Sequence, residues 1–289
     1  MTSPARDLTV PSHEMAAFVA DWEAWHDQRI AALSARDGPP TLVATYWLAE
    51  TSVIPGVNGT WREKDGGVEL SLALGADALV DGHRTSGRAL VLAPGELVGR
   101  RIEFSSITAQ VTTREGQRGV RVFDHSRASR LQALGAYPPD PLFAVECSYE
   151  PLPERSSVNY SYALESSPRE VEVPGVVRFS LGGRDHAVSP LLDEESLLLV
   201  FADRTTGSST RPPSRFLLIA PPLKGVDRPG TVSLDFNRAY LPPCAFTDEF
   251  NCPLPPSHHR FDVDVPAGET WAEFSDAAPP GAAARVEFP

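Results

Sequence analysis

Lysine is almost missing from this chain: Lys64 and Lys224 are its only two, against a net charge of −12. No cluster of arginines offsets that acidity. Nucleic acid is therefore excluded as a partner, because a phosphate backbone demands a basic stripe. Long apolar runs are absent as well. Nothing approaches the roughly 18 residues that a bilayer-spanning helix needs, so no membrane is expected. The opening "MTSPARDLTVPSHEM" lacks the apolar stretch of an export signal. Cysteine is scarce and odd in number, with three residues in all. In a chain of this size that usage points to a reducing cytoplasm, with thiols rather than bridges. No cofactor or metal is expected: His26, His83, His125 and His186 stand singly, and no stretch carries a compact ligand spacing.

What is present describes a globular chain, 42% hydrophobic and 22% charged over 289 residues. Between Pro11 and Ala35, the residues Met15, Phe18, Val19, Trp22, Trp25, Ile30 and Leu33 recur at helical spacing, and "RDGPP" ends the run. Almost everything after that is short, alternating or β-branched, with Gly and Pro punctuation: "TLVATYWL", "GVELSLAL", "LFAVECSYEP", "VVRFSLGGRDHAVS", "SLLLVFAD", "RFLLIA", "TVSLDFN" and "FDVDV". In "LFAVECSYEP", Phe143, Val145, Cys147 and Tyr149 share one face at period two. The expected class is mostly β, a sandwich followed by a second β unit, with one N-terminal helix. The expected divisions are 1–36 for a tail and the helix, 37–150 for the sandwich, 151–275 for the second unit and 276–289 for a loose tail.

Special residues concentrate in one place, "LDFNRAYLPPCAFTDEFNCPLPP", which begins at Leu234. This stretch, continued through "SHHRFDVDVPAGE", resembles the hallmark segment of the prokaryotic family catalogued as domain of unknown function 1684. Three further segments are similar to that family in the same order: "WHDQRIAALSARDGPPTLVATYWLAE", "GQRGVRVFDHSRASRLQALGAYPPDPLFAVECSYEP" and "LLLVFADRTTGSSTRPPSRFLLI". The resemblance implies that the first half is a forkhead-associated-like β-sandwich, with Asp81-Gly82 at a tight turn. One loop departs from the pattern: residues 49–61, "AETSVIPGVNGTW", replace a usual Gly-Glu-Asn with a further Gly.

The candidate residues each admit more than one reading. Asp235, Asn237, Arg238 and Tyr240 are either a hydrogen-bonded network holding the Pro-rich loop or a pocket for a small anionic molecule. In the second case Arg238 offers its planar fork to a carboxylate. An Arg238 that is buried must pair with a carboxylate such as Asp235 or Asp203, because an orphaned charge is too costly. Cys244 and Cys252 are packing thiols, metal ligands together with His258 and His259, or, for Cys244, a nucleophile. Asp203, Arg204 and Arg215 form either a polar turn or further arginines around the same anion. No catalytic residue is assigned. The preferred reading is a small-molecule-binding protein or enzyme with its pocket at the Asp235–Cys252 loop. The alternative is a non-catalytic interaction module that uses the sandwich loops.

Overall fold

The structure is a computed structural model and describes residues 12–49, 51–114, 116–154 and 156–275. The two expected tails, up to Pro11 and over 276–289, lie outside the described residues, as does Glu50 of the divergent loop. The helix forms over Ser12–Leu33. Its inward side is Met15, Phe18, Val19, Trp22, Trp25, His26, Arg29 and Leu33, while Ile30, expected on the apolar stripe, is exposed. Position 29 falls seven residues after Trp22 and so takes the inward place that hydrophobicity alone assigns to Ile30. The remaining regular structure is strand apart from short 3₁₀ turns, so the chain is mostly β. No described helix is long and apolar enough to cross a membrane.

The chain divides into two compact units. One comprises Ala32–Ala133, Phe246–Phe250 and the described residues from Ala272. It holds a six-stranded sheet in the order Leu42–Trp47, Gln117–Asp124, Ile107–Arg114, Val98–Glu103, Asp77–Val80, His83–Ser86. A four-stranded sheet accompanies it, ordered Thr51–Val53, Gly59–Lys64, Gly67–Leu72, Arg88–Leu92. The inward residues of both sheets, among them Trp61, Val68, Leu70, Ile102, Val111 and Val120, form one core. The divergent loop feeds this core: Ile54 and Val57 are buried within it. Asp81 and Gly82 both take positive φ, 49° and 79°, which is the two-residue turn that joins twisted strands without splaying them.

The other unit comprises the described residues up to Ala31, Leu134–Ala245 and Asn251–Trp271. Its four-stranded antiparallel sheet runs Arg184–Val188, Gly175–Leu181, Ala144–Pro151, Gly230–Asp235. A three-stranded sheet of Leu191–Asp193, Ser196–Phe201 and Arg215–Ile219 supplies the buried Leu197, Leu199, Phe201, Leu217 and Ile219 to the same core. Strand Ala144–Pro151, which a boundary at residue 150 would give to the sandwich, pairs with Gly175–Leu181 and Gly230–Asp235 here. "FDVDV" is not a ladder strand. Phe261, Val263 and Val265 are buried in alternation, but the segment meets Ala202–Arg204 through Phe261 N to Ala202 O (2.7 Å) and Arg204 N to Val263 O (3.1 Å), and the one isolated bridge, Ala202 with Arg260, lies just before it.

Candidate functional site

The segment that begins at Leu234 turns out to be a dock for the N-terminal helix. Strand Gly230–Asp235 ends in a 3₁₀ turn over Phe236–Arg238, and Asp235 Oδ1 caps it by accepting from Asn237 N at 3.1 Å. Asn237 is fully buried. Its Nδ2 donates to Asp140 O (2.9 Å) and to Asp235 Oδ1 (2.8 Å), and its Oδ1 accepts from Asp140 N (2.9 Å). Its carbonyl accepts from Trp22 Nε1 of the helix at 2.8 Å. No polar atom of the Asn237 side chain is left over for a ligand. Arg238 pairs with Asp21 of the helix and, through Nε at 3.4 Å, with Asp235. The guanidinium is 36% exposed and Asp21 72% exposed. Arg238→Ala is therefore expected to cost less than about 1 kcal/mol in urea denaturation, as for other solvated ion pairs, and not the 3–5 kcal/mol of a buried one.

The second group of candidates splits apart. Arg204 is exposed and reaches Asp264 at 3.8 Å. Arg215 and Asp203 form a pair whose side chains are wholly buried, Nη2 to Oδ2 at 2.6 Å. Arg215 Nη2 also donates to Val265 O at 2.9 Å, and Nη1 donates to Ala267 O. These bonds hold the end of the "FDVDV" segment at Val265 and the chain two residues beyond it. A guanidinium takes the carbonyls that a ladder would otherwise satisfy. The segments do adjoin, since Tyr240 and Phe216 exchange backbone bonds at 2.8 and 2.9 Å. The Arg215 head, however, serves Asp203 and not a shared pocket.

None of the three cysteines is bridged, and Cys244 N donates to Cys252 Sγ at 3.3 Å. The adjacent histidines differ completely. His258 is exposed and His259 is fully buried. Ser189 N donates to His259 Nε2 at 2.9 Å, so Nδ1 carries the proton and donates to Val200 O at 2.9 Å. Both ring nitrogens are engaged in holding strands. Among the described residues no cluster of three His, Cys, Asp or Glu has metal-binding geometry. Burial lowers the His259 pKa to about 3, with His258 acting in the same direction. The folded state therefore binds fewer protons than the unfolded one below pH 6.5. Stability is complete above that pH and falls by about 1.4 kcal/mol per unit as pH drops towards 3. Denaturation at a series of pH values should show that slope, and the His259 ring resonances should not titrate down to pH 5.

Two residues that the sequence did not single out, Arg29 and Glu269, meet Tyr240. Glu269 is fully buried; its Oε1 takes Arg29 Nε at 2.9 Å and its Oε2 takes Leu241 N at 2.7 Å. Arg29 Nη2 reaches Leu241 O and Glu269 Oε2 at 3.4 and 3.3 Å. Arg29 Cζ stands 4.8 Å from the Tyr240 ring centroid. Burial pushes the phenol up to about 12 while Arg29 pulls it down, so the hydroxyl remains a donor at neutral pH. One turn earlier, His26 stacks on Trp22 at 5.0 Å, and its Nε2 is buried with no hydrogen-bond partner. Burial also lowers the His26 pKa, against the opposing charges of Glu269 and Asp27.

Residues 129–270 match the model of a family described as "Protein of unknown function (DUF1684)". Among curated proteins none matches this chain. A solution NMR structure of an uncharacterized protein of Haloarcula marismortui is 28% identical, covering 50% of this chain and 76% of that one, with a TM-score of 0.38.

Proposed function

We propose that this chain, whose residues 129–270 match the model of a family of unknown function, is a cytoplasmic protein that binds a small carboxylate-bearing molecule at Tyr240 and Arg29. One observation carries this reading: two stacked side chains, Tyr240 and Arg29, each have a hydrogen-bond donor left over. The Tyr240 hydroxyl has no partner among the described residues. Glu269 and the Leu241 carbonyl engage Nε and Nη2 of Arg29, and Nη1 is left without one. A phenol and a fixed guanidinium stacked over its ring both offer a donor to a carboxylate. Glu269 holds that edge in place before a ligand arrives, which reduces the ordering cost of binding.

The test is a titration of the full chain with succinate at low ionic strength, read by thermal melting and by chemical-shift changes. A saturable rise in Tm is expected. Tyr240→Phe keeps the ring over Arg29 but removes a donor to a charged group, so affinity should fall at least about tenfold. A chain that ignores succinate and a panel of other mono- and dicarboxylates, or a Tyr240→Phe variant of unchanged affinity, would refute the reading. The acidic composition further supports the absence of a nucleic-acid partner. No salt-sensitive shift is expected with duplex DNA or RNA in a mobility assay.

A second reading, an interaction module of forkhead-associated type, draws support from a hollow of about 450 Å³ in the two-sheet unit. Val80, Asp81, His83, Thr85 and Arg100 line it. Arg100 there lies 3.8 Å from Asp81, which competes for the cation that a phosphothreonine would need. A phosphothreonine peptide library tested against the chain and against Arg100→Ala discriminates between the two readings.

A further inference from the structure

Cys244 and Cys252 bracket a short span, Ala245–Asn251, and their local geometry brings them together. The amide nitrogen of Cys244 lies 3.3 Å from the Cys252 sulfur. With an N–Cα bond of about 1.46 Å, that sulfur is no more than about 4.8 Å from the Cys244 Cα. The chain of bonds Cα–Cβ–Sγ–Sγ′ in one half of a disulfide spans such a distance, so rotation about the Cys244 Cα–Cβ bond is the movement required. The span between the two thiols is itself anchored. Thr247 Oγ1 donates to Leu42 O at 3.2 Å, and Arg121 lies over the Phe250 ring at 5.2 Å. The bridge would therefore close a segment that is already folded back, with little chain entropy still to lose.

The two thiols also differ in a useful way. Cys252 is buried and Cys244 is half-buried. The third cysteine takes no part: Cys147 sits in the core, donates to Val145 O at 3.2 Å, and burial pushes its thiol up to about 11. We propose that Cys244 and Cys252 form an oxidisable dithiol, with Cys244 as the peroxide-reacting thiol and Cys252 as the resolving one. In the first step the Cys244 thiolate attacks one oxygen of hydrogen peroxide. The O–O bond breaks, hydroxide leaves, and Cys244 becomes a sulfenic acid. In the second step the Cys252 sulfur attacks the Cys244 sulfur. The S–S bond forms as the S–OH bond breaks, and the departing hydroxide takes up the Cys252 proton as water. The sum is two thiols and one peroxide giving one disulfide and two waters. In a reducing compartment such a bridge is transient, which is the usual form of a redox-sensing pair. Cys252 lies near enough to Tyr240 to act on its phenol, but the proposal does not rest on carboxylate binding there.

The experiment treats the intact, folded chain with hydrogen peroxide, blocks remaining thiols with N-ethylmaleimide, and digests after acidic residues, which cuts between the two cysteines at Asp248 or Glu249. The expected product is a linked pair of peptides carrying Cys244 and Cys252, lighter than the two free peptides by two hydrogens. Dithiothreitol should separate them, and Cys147 should remain alkylatable after unfolding. In Cys252→Ser the link should vanish while Cys244 is captured by a sulfenic-acid probe. Accumulation of Cys244 sulfinic acid in the wild-type chain, with Cys252 still alkylatable, would overturn the proposal. So would two thiols left unmodified in the folded chain at a dose that oxidises them in the unfolded one. The wild-type measurement stands without any variant.

Discussion

Asp203→Ala should destabilise its unit by about 3–5 kcal/mol, the cost of leaving a buried charge without its partner. Arg215 has no exposed side-chain surface, and the Phe201 ring covers it at 5.2 Å. Its Nε has no hydrogen-bond partner, so Asp203 and two carbonyls carry the whole compensation. Asp203 is itself committed twice more through Oδ1, to Thr205 N at 2.7 Å and Val265 N at 3.4 Å. Removing the carboxylate therefore unties the turn and the "FDVDV" segment together. Urea denaturation should show the loss as a lower midpoint. The double variant Asp203→Leu with Arg215→Met should recover part of it, because apolar groups of similar volume need no partner. A single-variant loss below about 1 kcal/mol would mean that water reaches the guanidinium.

Gly268→Ala should be nearly as damaging, for a reason of backbone geometry. Gly268 has φ near +80°, where a side chain is strained, and a Cβ there would stand 2.5 Å from Ala239 O and 2.8 Å from Phe236 O. Neither carbonyl is able to yield. Ala239 O accepts from Glu269 N at 2.8 Å, and Phe236 O accepts from Ala239 N at 3.0 Å. Left-handed strain of about 1–2 kcal/mol adds to an overpacking cost of about 1–3 kcal/mol, giving roughly 2–5 kcal/mol in all. Gly207 is the matched control, since its φ is +85° with no atom near the added Cβ. Gly207→Ala should show the strain alone. Equal losses at the two glycines would remove the clash from the explanation. The carboxylate response should also weaken in Gly268→Ala, because Glu269 next to it fixes Arg29.

Periodicity in the sequence predicted which way side chains face but not what they face. The alternation of Val145, Cys147 and Tyr149 is real, and Cys147 and Tyr149 are buried. Their strand nonetheless pairs with partners some 30 and 90 residues away, a choice that no period-two pattern encodes. "FDVDV" shows the reverse limit. Its burial alternates as in a strand, but its bonds go to the Ala202–Arg204 backbone and, at Val265 O, to the Arg215 side chain. Asp235 and Asn237 were legible as a polar strand end, and the hydrogen-bonded network among the readings is the one that the distances describe. Arg29 and Glu269 were not legible. A charge on the inward side of a helix is meaningful only beside its counter-charge, and here the two are 240 positions apart.

That separation bears on the order of events during synthesis. The helix Ser12–Leu33 emerges from the ribosome 212 to 240 residues before the groups it docks on, the Asn237 carbonyl, the Leu241 carbonyl and the Glu269 carboxylate. At roughly 5–20 residues per second, the helix spends about 10–50 s without its dock. Through that interval Trp22, Trp25 and the Arg29 guanidinium have only water or a chaperone for company. Slowing translation between residues 40 and 230 would lengthen the exposure, and a nascent chain stalled there presents an amphipathic helix to whatever binds such surfaces.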